Sequence, residues 1–376
     1  MLKQVLSSRP KEEKLVVFVV IFLACLTLAH AIYYTYSVYY KEIHSNQIGV
    51  SLDAYYRLHN STALSPEHPL FAGTDHAPNQ YRIGVAYPVR FLANKLHIDK
   101  YYILFSVVDF TAASLACSIL YLTLCSSVFF RGLSSSSQTT VVTLFLLSLA
   151  YPFAWVARLQ RCETITTALY LALAFLFLGR VRTSRLWLIP ILFLTVGQAF
   201  VRADVPAILG LAVGLFTLTP HAQKLFGSRK SGFLYGFSIV VCALAVQAWL
   251  KFVLFPHATY PPDTEVIQFF YNFHIRALAS FTIAILPFAF TIFLAVKYSK
   301  QLEAIDLLTI LASCTYLLLW WTIGAIIEVR IFVPFLLALT PLTARLMFLA
   351  LQGSGQASEA SPLEDSPEHL FTQQVS

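Results

Sequence analysis

The chain has 376 residues, 57% of them hydrophobic and only 12% charged, with a mean hydropathy of +0.68; this excludes an ordinary soluble domain and points to a membrane protein of many spans. Its formal net charge of +7 does not indicate nucleic-acid binding, because the basic residues stand in short clusters between apolar runs.

Apolar runs long enough to cross about 30 Å of hydrocarbon number roughly ten. They are expected near 15–38, 102–130, 139–157, 164–179, 186–201, 205–220, 232–255, 277–296, 305–326 and 331–352. The first resembles a signal peptide up to Ala29-His30-Ala31, but its apolar and aromatic character continues through Tyr40, which favours an uncleaved span. Five cysteines (Cys25, Cys117, Cys125, Cys242 and Cys314) fall inside apolar runs, while Cys162 lies between two. None has CxxC spacing, so they read as small core residues.

The loops set the orientation. Lys3, Arg9, Lys11 and Lys14 precede the first run; Arg131, then Arg180, Arg182 and Arg185, then Lys224, Arg229 and Lys230, then Lys297 and Lys300 follow the second, fourth, sixth and eighth. All fall on one side, which the positive-inside rule makes cytoplasmic. The expectation is an all-α polytopic protein with one transmembrane domain, 1–352, and both termini cytoplasmic. A polar tail, 353–376, is expected to be disordered.

The other face then receives a long loop, 39–100, a shorter one, 256–276, and three tight turns. The long loop contains His44, His59, His68, His76 and His97, but no HExxH or paired cysteines, so a divalent metal has no motif to support it and no cofactor is expected. Asn60-Ser61-Thr62 fits the glycosylation pattern, and Asp75 reads as a turn residue. Val85, Val89, Leu92 and Leu96 recur at helical spacing, which predicts an amphipathic helix flat in the interface, kinked at Pro88 or beginning near Ala86. Asp53, in "SLDAYYRL", is the candidate general base; its alternative role is a solvated or capping aspartate.

The tight turns hold Arg158, Arg161 and Glu163, then Arg202 and Asp204, then Glu328 and Arg330; Asp109 lies about two turns into the second run on the same side. A charge at mid-bilayer costs roughly 2.5–3.5 kcal/mol, so such a gathering reads as the lining of a wet cavity. Glu163 and Asp204 also suit helix starts. Arg202 and Arg330 precede helices with Pro206 and Pro334 in their first turns, a geometry that aims backbone N–H groups and a guanidinium at an anion such as phosphate. Glu328 and Arg330 would face about 200° apart on a continuous helix, so a break is expected between them and the preceding run.

This layout resembles the GT-C superfamily of integral membrane glycosyltransferases, which take a sugar from a polyprenyl-phosphate carrier. The resemblance rests on the cytoplasmic amino end, one span, a long external loop with an early acid and an interfacial helix, and a bundle with outward arginines. The stretches Tyr81-Arg82-Ile83-Gly84-Val85-Ala86-Tyr87-Pro88 and Glu328-Val-Arg330-Ile-Phe-Val-Pro334 also resemble bacterial members. It implies that Asp53 deprotonates the acceptor hydroxyl and that Arg330, Arg202 and Arg161 grip the departing phosphate. Arg82, Asp109, Glu163, Asp204 and Glu328 would contact the substrate, and the protein would sit in a bacterial inner membrane. The chain has a lone Asp53 where the commoner pattern has an acidic pair or DxD. The alternatives are a transporter or flippase for a lipid-linked or anionic substrate, a polysaccharide polymerase or ligase, and a non-catalytic assembly protein; the sequence sets no oligomeric state.

Overall fold

The computed structural model describes residues 83–97, 101–159, 162–256, 269–324 and 329–359, and among these every regular element is helical. The order is α1 (Ile83–Leu96), α2 (Tyr101–Ser126), α3 (Val128–Arg131), α4 (Ser135–Leu159), α5 (Cys162–Leu178), α6 (Leu188–Arg202), α7 (Asp204–Phe216), α8 (Ala222–Phe226), α9 (Arg229–Trp249), α10 (Ile275–Lys297), α11 (Ala304–Ile323) and α12 (Val333–Glu359). Each expected apolar run from 102 onward coincides with a helix; the first, 15–38, lies outside the described residues. Among the described residues, five helical stretches are long and apolar enough to cross a membrane: Val107–Ser126, Arg185–Arg202, Arg229–Leu254, Ala304–Ile323 and Val333–Gln352. Thr164–Leu178, Asp204–Phe216 and Ile285–Lys297 are shorter apolar helices.

Local chemistry sets where these helices start and stop. Ser127 caps α3 by accepting from Phe130 N at 3.2 Å, and Ser228 caps α9 by accepting from Ser231 N at 3.0 Å. Gly227 ends α8 with φ at +78°, a conformation that costs other residues steric strain. Glu303 and Asp306 form a capping box at the start of α11. At the carboxyl end α12 continues to Glu359, beyond the boundary expected at 352.

Helix α12 is the axis of the bundle, packing on α2, α4, α5, α10 and α11. Val333, Leu337 and Ala344 join one core with α2, α4 and α5, whereas Leu336, Leu339 and Leu346 join another with α10. A helix apolar all round has to be covered all round, and α12 has no exposed residue from Val333 to Ala350. By contrast, α9 exposes Phe233, Leu234, Phe237, Val241 and Leu244, and α10 exposes Leu286, Phe290, Phe293 and Val296. Such surfaces suit hydrocarbon rather than water.

Glycines bring the backbones of α7 and α9 close together. A Cβ on Gly210 would meet Gly236 O at 2.7 Å, and one on Gly236 would meet Gly210 O at 2.6 Å and Gly214 N at 2.8 Å. Gly236 of α9 therefore packs against Gly210 and Gly214 of α7, as membrane helices do when small residues let backbones touch, while Gly232, one turn earlier, makes room for Phe226 and Thr217. Polar pairs join α5 to α6: Gln198 Nε2 donates to Thr167 Oγ1 at 2.7 Å, and Tyr170 and Thr195 share a hydrogen bond of 3.2 Å.

Helix α1 begins at Ile83 and carries Pro88 inside it. Its expected apolar stripe divides: Val85 and Val89 are buried, but Leu92 and Leu96 are exposed. The cause is the docking of its first half on α6, where Gly84 lets the helix reach Phe200 and Val201. Lys95 and Phe91 project from the free half, with Lys95 Nζ 5.6 Å from the ring centroid. His97 terminates the helix at φ 53°; the other four loop histidines lie outside the described residues.

Candidate functional site

The antiparallel pairing of α5 and α6 (Tyr170 with Thr195, Thr167 with Gln198) places the end of α6 beside the start of α5. The basic residues Arg131, Arg180, Arg182, Arg185, Lys224, Arg229, Lys230, Lys297 and Lys300 all fall at the other end, where α2, α5 and α10 finish and α6, α9 and α11 begin. The candidate site occupies the end away from these clusters.

There the chain bends sharply between α6 and α7. Ala203 keeps helical angles, and Pro206, with no N–H, cannot bond back to residue 202, so the helix is interrupted. Arg202 closes α6 and Asp204 opens α7, an acid at a helix amino end where the dipole favours it. Arg202 is 8% exposed, and its guanidinium clasps Asp204 with two bonds, Nε to Oδ1 at 3.2 Å and Nη2 to Oδ2 at 2.5 Å. Nη2 also donates to the Tyr316 hydroxyl at 2.8 Å, and that hydroxyl lies 3.3 Å from Asp204 Oδ2. The charge is thus matched inside the protein rather than held open.

Tyr316 is fully buried on α11, stacked on Phe335 with centroids 4.3 Å apart and edge-on to Phe332 at 6.0 Å. Phe332 belongs to the short 3-10 turn Val329–Phe332, which also carries Arg330 and feeds directly into α12, whose second residue is Pro334. The break expected before Arg330 is present, since α11 stops at Ile323 and Gly324 bonds back to Trp320 O at 2.8 Å. Asn272, completely buried, holds that ending by donating from Nδ2 to Trp321 O and Gly324 O, each at 2.7 Å. Trp320 completes the wall: Arg202 Cζ lies 5.9 Å from its ring, and the indole occupies the space a Cβ on residue 324 would need. Its Nε1 is buried with no hydrogen-bond partner among the described residues.

The structure therefore brings Arg202, Asp204 and the turn bearing Arg330 to one end of the bundle. Asp109 is completely buried on α2, and Glu163 is the second residue of α5 at the same end. Asp53, Arg82, Arg161 and Glu328 lie outside the described residues. Sequence reasoning missed Tyr316, Trp320 and Asn272. The first two sit one turn apart in an apolar run, so only the contact with Arg202 distinguishes them from core aromatics; Asn272 carried a faint signal as a polar residue just before a span.

It also missed a second charged group, at the basic end. Arg345 on α12 is 5% exposed; its Nη1 donates to Glu303 Oε1 at 3.2 Å and its Nη2 pairs with Asp306 Oδ1. An arginine inside an apolar run was itself the signal, because it demands an acid partner. Compared with protein-family models, curated proteins and solved structures, the chain matches none.

Proposed function

We propose that the chain is a polytopic membrane protein of about ten spans, with its basic end cytoplasmic, and that its other end moves a sugar from a polyprenyl-phosphate carrier to an acceptor. The supporting observation is convergence: the α6–α7 bend with Arg202 and Asp204 is tied through Tyr316, 114 positions later, to the turn carrying Arg330. Two helix breaks at one depth, each with an arginine, suit surface chemistry on a lipid-linked anion better than passage through mid-membrane.

The reaction needs stabilisation of a phosphate whose charge grows as the anomeric bond breaks, and fixed guanidiniums supply it more in the transition state than in the ground state. Since Arg202 is matched by Asp204, its part is to fix the wall of the site, and Arg330 and Arg161 meet the phosphate. Asp53 takes the proton of the acceptor hydroxyl, a contribution of about 100-fold or more. The protein belongs in this reading to a bacterial inner membrane.

Purified protein given labelled polyprenyl-phosphate sugars is expected to transfer label to an acceptor. Asp53→Asn should abolish transfer with carrier binding intact, whereas Arg330→Ala should weaken carrier binding. Absence of transfer from every such donor would end the reading; normal turnover in Asp53→Asn would remove the base alone.

A further inference from the structure

A cleft of about 180 Å³ opens at the basic end, between the last turns of α2 and α5, the first turn of α11 and Pro341 and Arg345 of α12. Arg345 lies about 18 Å along α12 from its first residue, so the cleft is far from the Arg202 site. Its lining joins the buried apolar Leu124 and Phe175 to the half-buried Arg180 and Glu303. That amphipathic section at the end of the spans matches a lipid headgroup with the beginning of its chains, rather than a soluble solute.

Hydrogen-bond accounting narrows the headgroup. Thr123 Oγ1 donates to Ile119 O at 2.9 Å and Ser126 Oγ to Leu122 O at 2.6 Å, so both hydroxyl protons are committed to their own helix. What these two oxygens can still do is accept. Glu303, its side chain 34% exposed, accepts at Oε1 from Val128 N at 3.1 Å and from Arg345 Nη1 at 3.2 Å; since Arg345 is shared with Asp306, the two acids exceed their arginine by one negative charge. A ligand group facing this wall has to donate and carry positive charge. Arg180, its guanidinium 5.3 Å from the Trp187 ring, supplies the opposite pole for a phosphate.

We propose that this cleft is a binding site for a phospholipid with a primary ammonium headgroup, of the phosphatidylethanolamine type, drawn from the leaflet at the basic end. The ammonium sits against Thr123, Ser126 and Glu303, and the phosphate against Arg180. A trimethylated headgroup has no N–H to give and an anionic glycerol headgroup has no positive charge, so both are disfavoured. The site is independent of sugar transfer.

The full chain, purified in lipid nanodiscs holding equal amounts of phosphatidylethanolamine, phosphatidylcholine and phosphatidylglycerol with identical chains, is released for native mass spectrometry. The ethanolamine lipid should be retained about tenfold over the choline lipid, the discrimination expected of one hydrogen bond to a charged group. Gly179→Phe should bring the ratio to parity, because a Cβ there meets only the helix's own carbonyls and Ile305, at 3.4 Å or more, and the ring enters the cleft. Thr123→Val with Ser126→Ala should do the same without added bulk, which covers a failure of the first variant to fold. Equal retention of ethanolamine and choline lipids by the wild type, tighter retention of the glycerol lipid, or an unchanged ratio in both variants would overturn the proposal.

Discussion

Arg202 gives two hydrogen bonds to Asp204 and one to Tyr316, and the cost of losing it follows from that. With the Asp204 side chain 34% exposed, Arg202→Ala should cost toward the lower end of the roughly 3–5 kcal/mol typical of breaking a buried pair. Arg202→Ala combined with Asp204→Ala removes both charges of the pair and should cost clearly less than the single change. Tyr316→Phe, which deletes only the hydroxyl, should cost about 1–3 kcal/mol, the range for an acceptor or donor left unmade. Thermal midpoints of the detergent-purified variants decide this, and a double variant as unstable as Arg202→Ala would mean the two charges are not coupled. Arg202 and Asp204 could be read in sequence as a pair because they stand two apart at a helix break. Tyr316 could not, since an apolar run of even polarity does not say which of its faces meets a helix 114 positions away. Arg345 with Glu303 and Asp306 shows the same limit: the acids cap α11 locally, and only the fold reveals that they also neutralise an arginine inside α12.

At the scale of elements, contact between α7 and α9 depends on the absence of side chains. Gly236→Leu would push a Cβ to within 2.6 Å of Gly210 O, a backbone atom that cannot swing aside, so the helices must separate. The expected outcome is loss of monodisperse protein on size-exclusion chromatography, or a fall in thermal midpoint larger than that of any single hydroxyl deletion. Gly197 is the control, because a Cβ there meets nothing within 4 Å; Gly197→Ala should be neutral or slightly stabilising by lowering the chain's freedom when unfolded. Equal behaviour of the two variants would rule out close packing as the reason for Gly236. The elements themselves were largely legible, as runs of apolar residues bounded by Pro206, Pro334 and the clustered charges. Their pairing was not: Gly210 and Gly214 are visible as a spacing, but they need Gly236, on another helix, to become an interface. For the same reason the apolar stripe on α1 was read as one face, whereas Gly84 seats only its first half against α6.

For the whole molecule, the arrangement of charge gives the proposed topology its direction across the membrane. The structure gathers Arg180, Arg229, Lys230, Lys297 and Lys300 at one end, and Asn272, the α6–α7 bend and the Arg330 turn at the other. In the proposed topology the helices alternate across a bilayer with the parity that the sequence shows in its loops, which puts the two ends in different compartments. Lys300→Cys and Lys230→Cys should therefore resist a membrane-impermeant thiol reagent in intact cells and react once the membrane is opened. Tyr271→Cys and His274→Cys, at exposed positions just before α10, should react in both conditions. The six native cysteines are replaced first, so that Cys162 contributes no signal. Labelling of both sets in intact cells would remove the membrane-crossing arrangement, and labelling of Lys300→Cys alone would invert it. Inversion would carry the Arg202 and Arg330 breaks to the cytoplasmic face, where a carrier-linked sugar would have to be met before export. The bundle would stand unchanged, but the compartment of the transfer reaction would be reversed.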